Sequence, residues 1–351
     1  DLTMWSLVPL LISCTTAACI SYFLSGNATM FHFDLDDPFV VERVPSTILL
    51  GLVCGFVALY FTRSMNAFEQ VFAKCKNMMV RFALGASVLA ALIFLFPPLY
   101  GEGYSTISTL LNSHGVSDAS SVMNNSLFYG HDQYLLVFLA LVALVKVFAS
   151  TATTGGGGCG GTFAPSIFLG GVTGFVFAGV WNLVQPFGIV LPTTNATLYG
   201  MAAVMSAVFH APLTGIFLIA ELTGGYQLLV PLMIVSSVSY SLVRSIEPHS
   251  IYAMRLARRG QLLSHHKDQA VIALMNLDDV IDKTRPVLDP ETSLGDMLQI
   301  VSFSKRLHFA VCSPDGALLG QINLNNIRHI IFRSELYNTF TVRGIMSQPS
   351  A

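Results

Sequence analysis

Long runs of apolar residues, separated by short polar segments, fill most of the chain before Pro248. A helix needs about 20 mainly apolar residues to cross a bilayer. Candidate spanning segments with few or no charges are residues 2–24, 44–62, 82–100, 133–145 continuing past Lys146, 162–184, 198–220 and 222–243. This pattern predicts an all-α polytopic membrane protein over this part of the chain.

Proline and glycine interrupt many of these runs. They recur at Pro97-Pro98, Pro186, Pro192, Pro212, Gly224-Gly225 and Pro231. Such interruptions are typical of broken and re-entrant helices rather than of a plain bundle. Gly51 with Gly55, and Gly170 with Gly174, would let helices approach closely, although each pair taken alone fits an ordinary packing face better.

A glycine-rich segment lies within this apolar region. Residues 153–165 read TTGGGGCGGTFAP, and residues 147–220 contain no Asp, Glu, Lys or Arg. A peptide turn at membrane depth is tolerated only where protein buries it or where it lines a hydrated cavity. Pro165 suits the first turn of a helix, and the glycines allow N–H groups to converge on one point. The segment therefore predicts an anion site built from amides and hydroxyls, with no Lys or Arg beside it, rather than a flexible linker.

Composition supports a membrane protein with a separate polar tail. Hydrophobic residues make up 53% of the chain and charged residues 11%, and the mean hydropathy is +0.63. Residues 1–247 carry 18 charged side chains, and the much shorter remainder carries 20. We predict a membrane domain over residues 1–262, a linker over 263–279 and a polar domain over 280–351.

The same composition argues against several partners. The net charge of −2 predicts no nucleic-acid partner. The six cysteines form no metal-ligand pairs, so we interpret them as small apolar residues and expect no metal and no cofactor. His265 and His266 have no third ligand nearby, which favours a solvated linker over a metal site.

Charge asymmetry predicts the orientation in the membrane. The segment 63–81 is predicted to be a basic, cytoplasmic loop, whereas the segment 25–44 is predicted to be an acidic, external loop. Arg255, Arg258 and Arg259 follow the last apolar run, so the C-terminal domain is expected in the cytoplasm. The chain starts at Asp1, directly before an apolar run, and we expect it to belong to a longer protein.

Three motifs, in order, resemble the CLC family of chloride channels and proton/chloride exchangers. Gly160-Gly161-Thr162-Phe163-Ala164-Pro165 is similar to the family's GGxFxP anion-site motif. Ala211-Pro212-Leu213-Thr214-Gly215, followed by Glu221-Leu222-Thr223 and Tyr226-Gln227-Leu228, is similar to its late-helix signature. Ile251-Tyr252-Ala253 is similar to the start of its last helix. The resemblance covers nearly all of residues 1–262 and implies the second of two inverted repeats, with the end of the first.

The resemblance also implies roles for individual residues. The N–H groups of Thr162 and Phe163 would bind a central anion, the Tyr252 hydroxyl would donate a further hydrogen bond, and the Phe163 ring would help to close the pathway. Many relatives carry an aliphatic residue where this chain has Thr162. Without the resemblance, Tyr252 would be interpreted as an interfacial anchor.

The family's first-half motifs, GSGxP and GxEGP, do not occur in this sequence. The choice between channel and proton-coupled exchanger therefore stays open, and protons are a possible second substrate. Glu221 is a candidate intramembrane carboxylate, but its place in the pattern favours a structural role. Lys146 is expected to snorkel or to pair rather than to bind the anion. The resemblance further implies a homodimer in a bacterial inner membrane.

The tail resembles a CBS domain over residues 280–332, with the start of a second copy at residues 342–346. Thr292-Ser293 can cap a helix, residues 308–312 and 318–324 are predicted strands around a turn at Pro314-Asp315-Gly316, and residues 325–332 are a predicted helix. Nucleotide-binding members carry Ser or Thr and then Asp after a Gly. Here Asn323 and Asn326 follow Gly320, which argues against an adenine nucleotide.

Three classes of function follow from the sequence. The first is transmembrane transport of chloride or similar monovalent anions, which accounts for the glycine segment, the broken helices and the tail together. The second is a membrane enzyme with a phosphate loop, but Gly161 stands directly before Thr162 where a P-loop needs Lys, so we do not expect an enzyme. The third is a non-transporting regulatory or scaffold protein with the same fold.

Overall fold

The computed structural model describes residues 4–26, 31, 38–113, 115–223, 226–258, 281, 286–304 and 306–348. The chain divides into two compact units, Asp1–Leu262 and Leu263–Ala351. The first is helical, and the second combines helices with a small sheet. The predicted linker over 263–279, with His265 and His266, lies outside the described residues.

Helices build the first unit. Over the described residues they are α1 (Met4–Ser25), α2 (Val44–Ala73), α3 (Met78–Leu95), α4 (Tyr104–Leu111), α5 (Leu135–Gly155), α6 (Phe163–Val184), α7 (Thr193–Phe209), α8 (Pro212–Leu222), α9 (Leu229–Ile246) and α10 (Ile251–Arg258). Short 3-10 helices lie at Val41–Arg43, Pro97–Leu99, Asp118–Met123, Asp132–Tyr134 and Pro186–Gly188. Six helical segments of the described chain are long and apolar enough to cross a membrane, which confirms a polytopic fold.

The break between α7 and α8 corrects one sequence prediction. The run 198–220 was expected to be one segment, but His210 adopts a left-handed conformation with φ of 55° and ends α7. Pro212 then occupies the first turn of α8, where its missing N–H costs no hydrogen bond. The run is therefore two helices, as expected for a chain with broken helices.

The basic segment 63–81 is mainly helical rather than a loop, which corrects a second expectation. The backbone bonds of α2 continue beyond its apolar part to Ala73, and α3 already begins at Met78. The Asn77 side chain caps α3 by accepting a hydrogen bond from Met79 N at 3.0 Å. Arg63, well within α2, pairs with Glu247, just after α9, at 2.7 Å.

Small residues allow the closest helix contacts, as the glycine pairs predicted. Helix α6 packs most extensively against α7, and Gly170 lies against the Gly200 backbone while Gly174 lies against the Ala196 backbone. Gly51 of α2 similarly lies against Val238 of α9. Helix α7 is almost entirely buried, so α6 is fixed against the centre of the unit. The start of α6 is thereby held in a defined place.

The second unit is a three-stranded sheet with helices. Strand β2 (His308–Cys312) pairs in parallel with β1 (Val287–Leu288) and antiparallel with β3 (Leu318–Asn323). Helices span Leu294–Ser302, Leu324–Ile331 and Val342–Ile345. These elements confirm the predicted helices and strands, whereas β1 was not predicted because two residues carry no periodic pattern. An apolar core that includes Leu288, Met297, Phe309, Val311 and Ile322 holds the unit together.

We predict that Gly174→Ala destabilises the first unit. A Cβ at this position would overlap the Ala196 carbonyl oxygen, so α6 and α7 would have to separate. Overpacking of this kind costs about 1–3 kcal/mol. Thermal unfolding in detergent measures the effect, and Gly115→Ala is the matched control because a Cβ there meets nothing within 4 Å. Equal melting temperatures for the two variants would contradict this account of the packing.

Candidate functional site

The glycine segment forms a tight turn between α5 and α6. Helix α5 extends into the segment as far as Gly155, so the turn is shorter than the sequence suggested. The N–H groups of Gly156 and Gly158 bond back to Ala152 O and Thr153 O, both at 2.9 Å. Gly157 has φ of 101°, a backbone conformation that residues with a side chain rarely adopt. The chain therefore reverses within a few residues and enters α6 at Phe163.

The start of α6 presents unpaired backbone donors. The first intrahelical bond runs from Ser166 N to Thr162 O at 3.1 Å. Pro165 has no N–H, and within the described residues no acceptor bonds the amides of residues 159–164. A helix N-terminus carries partial positive charge in addition to these donors. The arrangement can bind a small anion without a cationic ligand.

A second helix N-terminus meets the first at this point. Ser250 caps α10, because its Oγ accepts from Ala253 N at 3.3 Å, and Ile251 is fully buried. The next residue, Tyr252, accepts a hydrogen bond on Oη from Thr162 Oγ1 at 2.9 Å. The structure thus brings Tyr252 to the glycine segment across 90 residues of sequence.

A row of aromatic rings connects these residues. The ring centroids of Phe163 and Phe209 are 6.3 Å apart, and those of Phe209 and Tyr252 are 5.5 Å apart. Sequence reasoning missed Phe209. Its signal was its position as the last residue of α7, immediately before the break that His210 and Pro212 create.

Two cavities share the glycine turn as a common wall. The smaller, ≈ 330 Å³, is lined by Met65, Glu69, Thr154, Gly158, Cys159, Gly160, Gly161, Thr162 and Tyr252. The larger, ≈ 580 Å³, has a lining that includes Lys146, Ser150, Thr153, Thr154, Cys159, Gly160, Gly161, Phe163, Ala164 and Pro165. Every residue that the sequence proposed for anion contact therefore lines one cavity or both. Met65 and Glu69 of α2 were not foreseen.

Lys146 corrects the expectation that no cation lies beside the turn. Its side chain is buried, donates from Nζ to Gly101 O at 3.3 Å, and lies 4.5 Å from the centroid of Phe168. It pairs with a carbonyl rather than snorkelling, and one face of α5 brings it into the larger cavity. Arg81 is a second cation near the turn, because a Cβ added at Gly157 would lie 3.8 Å from its Nη2. Both residues lie outside the charge-free run that prompted the expectation.

Glu221 lies away from the linings of both cavities. Its Oε2 accepts a hydrogen bond from Tyr226 Oη at 3.0 Å, and this bond and the carboxylate charge raise the pKa of Tyr226. The pairing supports a structural role for Glu221. No group of three His, Cys, Asp or Glu side chains that could hold a metal ion occurs in the part of the chain that the structure describes.

Comparisons with known proteins agree with the motifs. The family model described as "Voltage gated chloride channel" matches residues 1–244. A ClcB-like chloride channel protein from Ralstonia nicotianae is 30% identical over 261 residues, which cover 73% of this chain and 56% of the relative. The voltage-gated ClC-type chloride channel ClcB of Citrobacter koseri is 30% identical over 258 residues, covering 73% and 57%. The chain thus spans little more than half the length of these relatives.

The fold comparison points the same way. The crystal structure of a CLC-type fluoride/proton antiporter aligns with a TM-score of 0.54 and 23% identity, over 70% of this chain and 55% of that one. At this identity the alignment supports the fold only. Together with the six apolar helices and the family match over residues 1–244, it leads to one conclusion. The chain belongs to the voltage-gated chloride channel (CLC) family of multi-pass membrane proteins.

Proposed function

We propose that the complete protein containing this chain transports chloride or similar monovalent anions across the membrane. One observation carries the proposal: a turn with unpaired amides at the start of α6 forms the wall between two cavities. Gly160 and Gly161 line both cavities, whereas Thr162 lines the smaller and Phe163 and Ala164 line the larger, so amides of one turn face both cavities. A site accessible from two cavities suits passage, whereas a storage or scaffold site needs access from one.

The donors would replace part of the hydration shell of the anion. The amides of Thr162, Phe163 and Ala164 and the hydroxyl of Tyr252 are neutral, so they can hold an anion without binding it too tightly for release. The aromatic row runs from Phe163 in the larger cavity to Tyr252 in the smaller one. Movement of the Phe163 ring would therefore change the width of the path.

Lys146 would act at a distance from the amide donors. Its ammonium already bonds Gly101 O, and its charge raises the positive potential inside the larger cavity. A positive potential concentrates anions near the turn and speeds their entry. In this proposal the cation attracts the anion, and the neutral donors bind it.

The proposed transport occurs either through a channel or by proton-coupled exchange, and in the second case protons are a second substrate. The relatives named above are described as chloride channels, and the fold neighbour is described as an antiporter. The alternative function is a non-transporting regulatory or scaffold protein. A homodimer in a bacterial inner membrane, with cytoplasmic residues 280–351, completes the proposal and rests on the family resemblance and the charge pattern.

The C-terminal unit is proposed to be a CBS domain over residues 280–332, followed by the start of a second copy. The order of its strands and helices supports this assignment. Asn323 Oδ1 accepts from Asn325 N at 3.0 Å and so caps the next helix. Because this side chain is engaged in capping, a regulatory role without a bound adenine nucleotide fits best.

The first test of this function is ion flux from liposomes that contain the complete protein. We expect chloride efflux to exceed potassium efflux, because the unpaired amides at the start of α6 present N–H donors, which favour an anion over a cation. Protein-free liposomes are the control. Flux that favours potassium would contradict the proposal, and binding of chloride without flux of any ion would favour the scaffold alternative.

The second test uses Cys159, an exposed thiol that lines both cavities. A negatively charged methanethiosulfonate reagent should attach at this thiol and reduce chloride flux severalfold by blocking the path and repelling the anion. The control is Cys159→Ala, which keeps the other cysteines and should resist the reagent. Equal inhibition of both proteins would show that the reagent acts elsewhere and that these cavities are not the path.

The third test separates binding from passage. Tyr252→Phe removes one donor to a charged ligand and should weaken chloride binding by about 1.5–3 kcal/mol at most, with water replacing part of that loss. Phe163→Ala keeps the amide and should change flux more than affinity. Calorimetric titration and liposome flux measure the two quantities. Unchanged binding and unchanged flux in both variants would make these side chains packing residues only.

A further inference from the structure

The Thr162 hydroxyl makes a hydrogen bond that is unusual for an N-cap residue. Thr162 is the N-cap residue of α6, and a threonine at such a position normally accepts a hydrogen bond from the second or third helical N–H. Its hydroxyl makes no capping bond and lies 2.9 Å from Tyr252 Oη instead. The buried Thr162 side chain is thus hydrogen-bonded to the side chain of Tyr252, which lies 90 residues later in the sequence.

The local sequence explains why the hydroxyl is free for this contact. The third helical position is Pro165, which has no N–H to offer a capping oxygen. The second is Ala164, whose amide has no partner among the described residues. If Thr162 capped that amide, an anion donor would be lost. Directing the hydroxyl to Tyr252 leaves the amide available.

We propose that Thr162 is a positioning residue that fixes the Tyr252 hydroxyl and so sets which anions the site prefers. The inference rests on the proposed anion transport. The two hydroxyl oxygens lie 2.9 Å apart, and with Thr162 as the donor the tyrosine proton is free to point at the ligand. A hydroxyl that accepts one hydrogen bond becomes a better donor in the next.

The other contacts of Tyr252 hold its ring but not its hydroxyl. Ile251 is buried and anchors the start of α10, and the Phe209 ring packs on the tyrosine at a centroid distance of 5.5 Å. The side chain of Tyr252 is otherwise about half exposed, at 46%. Thr162 therefore supplies the one hydrogen bond to Oη within the described residues.

The preference follows from the chemistry of the ligand. A fixed hydroxyl favours small monovalent anions that accept strong hydrogen bonds, such as chloride, over large and weakly hydrated anions, such as thiocyanate. Loss of the Thr162 hydroxyl should cost chloride more than thiocyanate. We expect Thr162→Val to bind chloride about 3- to 10-fold more weakly, the effect of one ordinary hydrogen bond. The chloride preference should fall by a similar factor.

The experiment compares Thr162→Val, Thr162→Ser, Tyr252→Phe and the double variant Thr162→Val/Tyr252→Phe in the complete protein. Chloride and thiocyanate affinities are measured by calorimetry, and flux of both anions is measured in liposomes. Thr151→Val is the matched control, because Thr151 is as buried as Thr162, its hydroxyl bonds only Val147 O among the described residues, at 2.8 Å, and it lines neither cavity. Thr162→Ala replaces the valine variant if that variant does not fold.

The expected result has three parts. Thr162→Val loses chloride preference, and Thr162→Ser retains it. The double variant binds chloride no more weakly than the single variant with the larger loss, because both changes remove the same hydroxyl pair. Chloride preference unchanged in Thr162→Val, or additive losses in the double variant, would overturn the inference and leave anion transport intact. Absence of chloride binding and flux in the unaltered protein would instead contradict the proposed function.

Discussion

Backbone amides inside a membrane protein must be hydrogen-bonded, because the surrounding hydrocarbon offers them no partner. The amides at the start of α6 are not bonded by the described chain, and they line cavities instead of packed protein. This one constraint organises the site. The donors require water or an anion, and the positive end of the α6 dipole favours the anion.

The rest of the helical unit holds these amides in place. Glycines at the contact of α6 with α7 bring the two backbones together, and α7 is buried along almost its whole length. The start of α10 approaches from another part of the sequence and is tied to α6 by the bond between Thr162 and Tyr252. These contacts fix the start of α6, so its amides need little reorganisation when an anion arrives.

Local chemistry made part of this site predictable from the sequence. The glycine segment, Pro165 and the charge-free surroundings indicated a turn with free amides, and the resemblance added Tyr252. Contacts between distant helices were not predictable. Phe209 and the bond of Thr162 to Tyr252 depend on how α7 and α10 approach α6, and no local pattern records that approach. Lys146 was misjudged because one face of α5 carries it back to the cavity from outside the charge-free run.

The central claim is that backbone amides at the start of α6 bind the transported anion. Anomalous diffraction from crystals of the complete protein grown in bromide tests it directly, because bromide substitutes for chloride and scatters anomalously. The account predicts a peak within hydrogen-bonding distance of the amides of Thr162 and Phe163 and of Tyr252 Oη. Bromide peaks elsewhere in the protein, with none at the glycine turn, would contradict it.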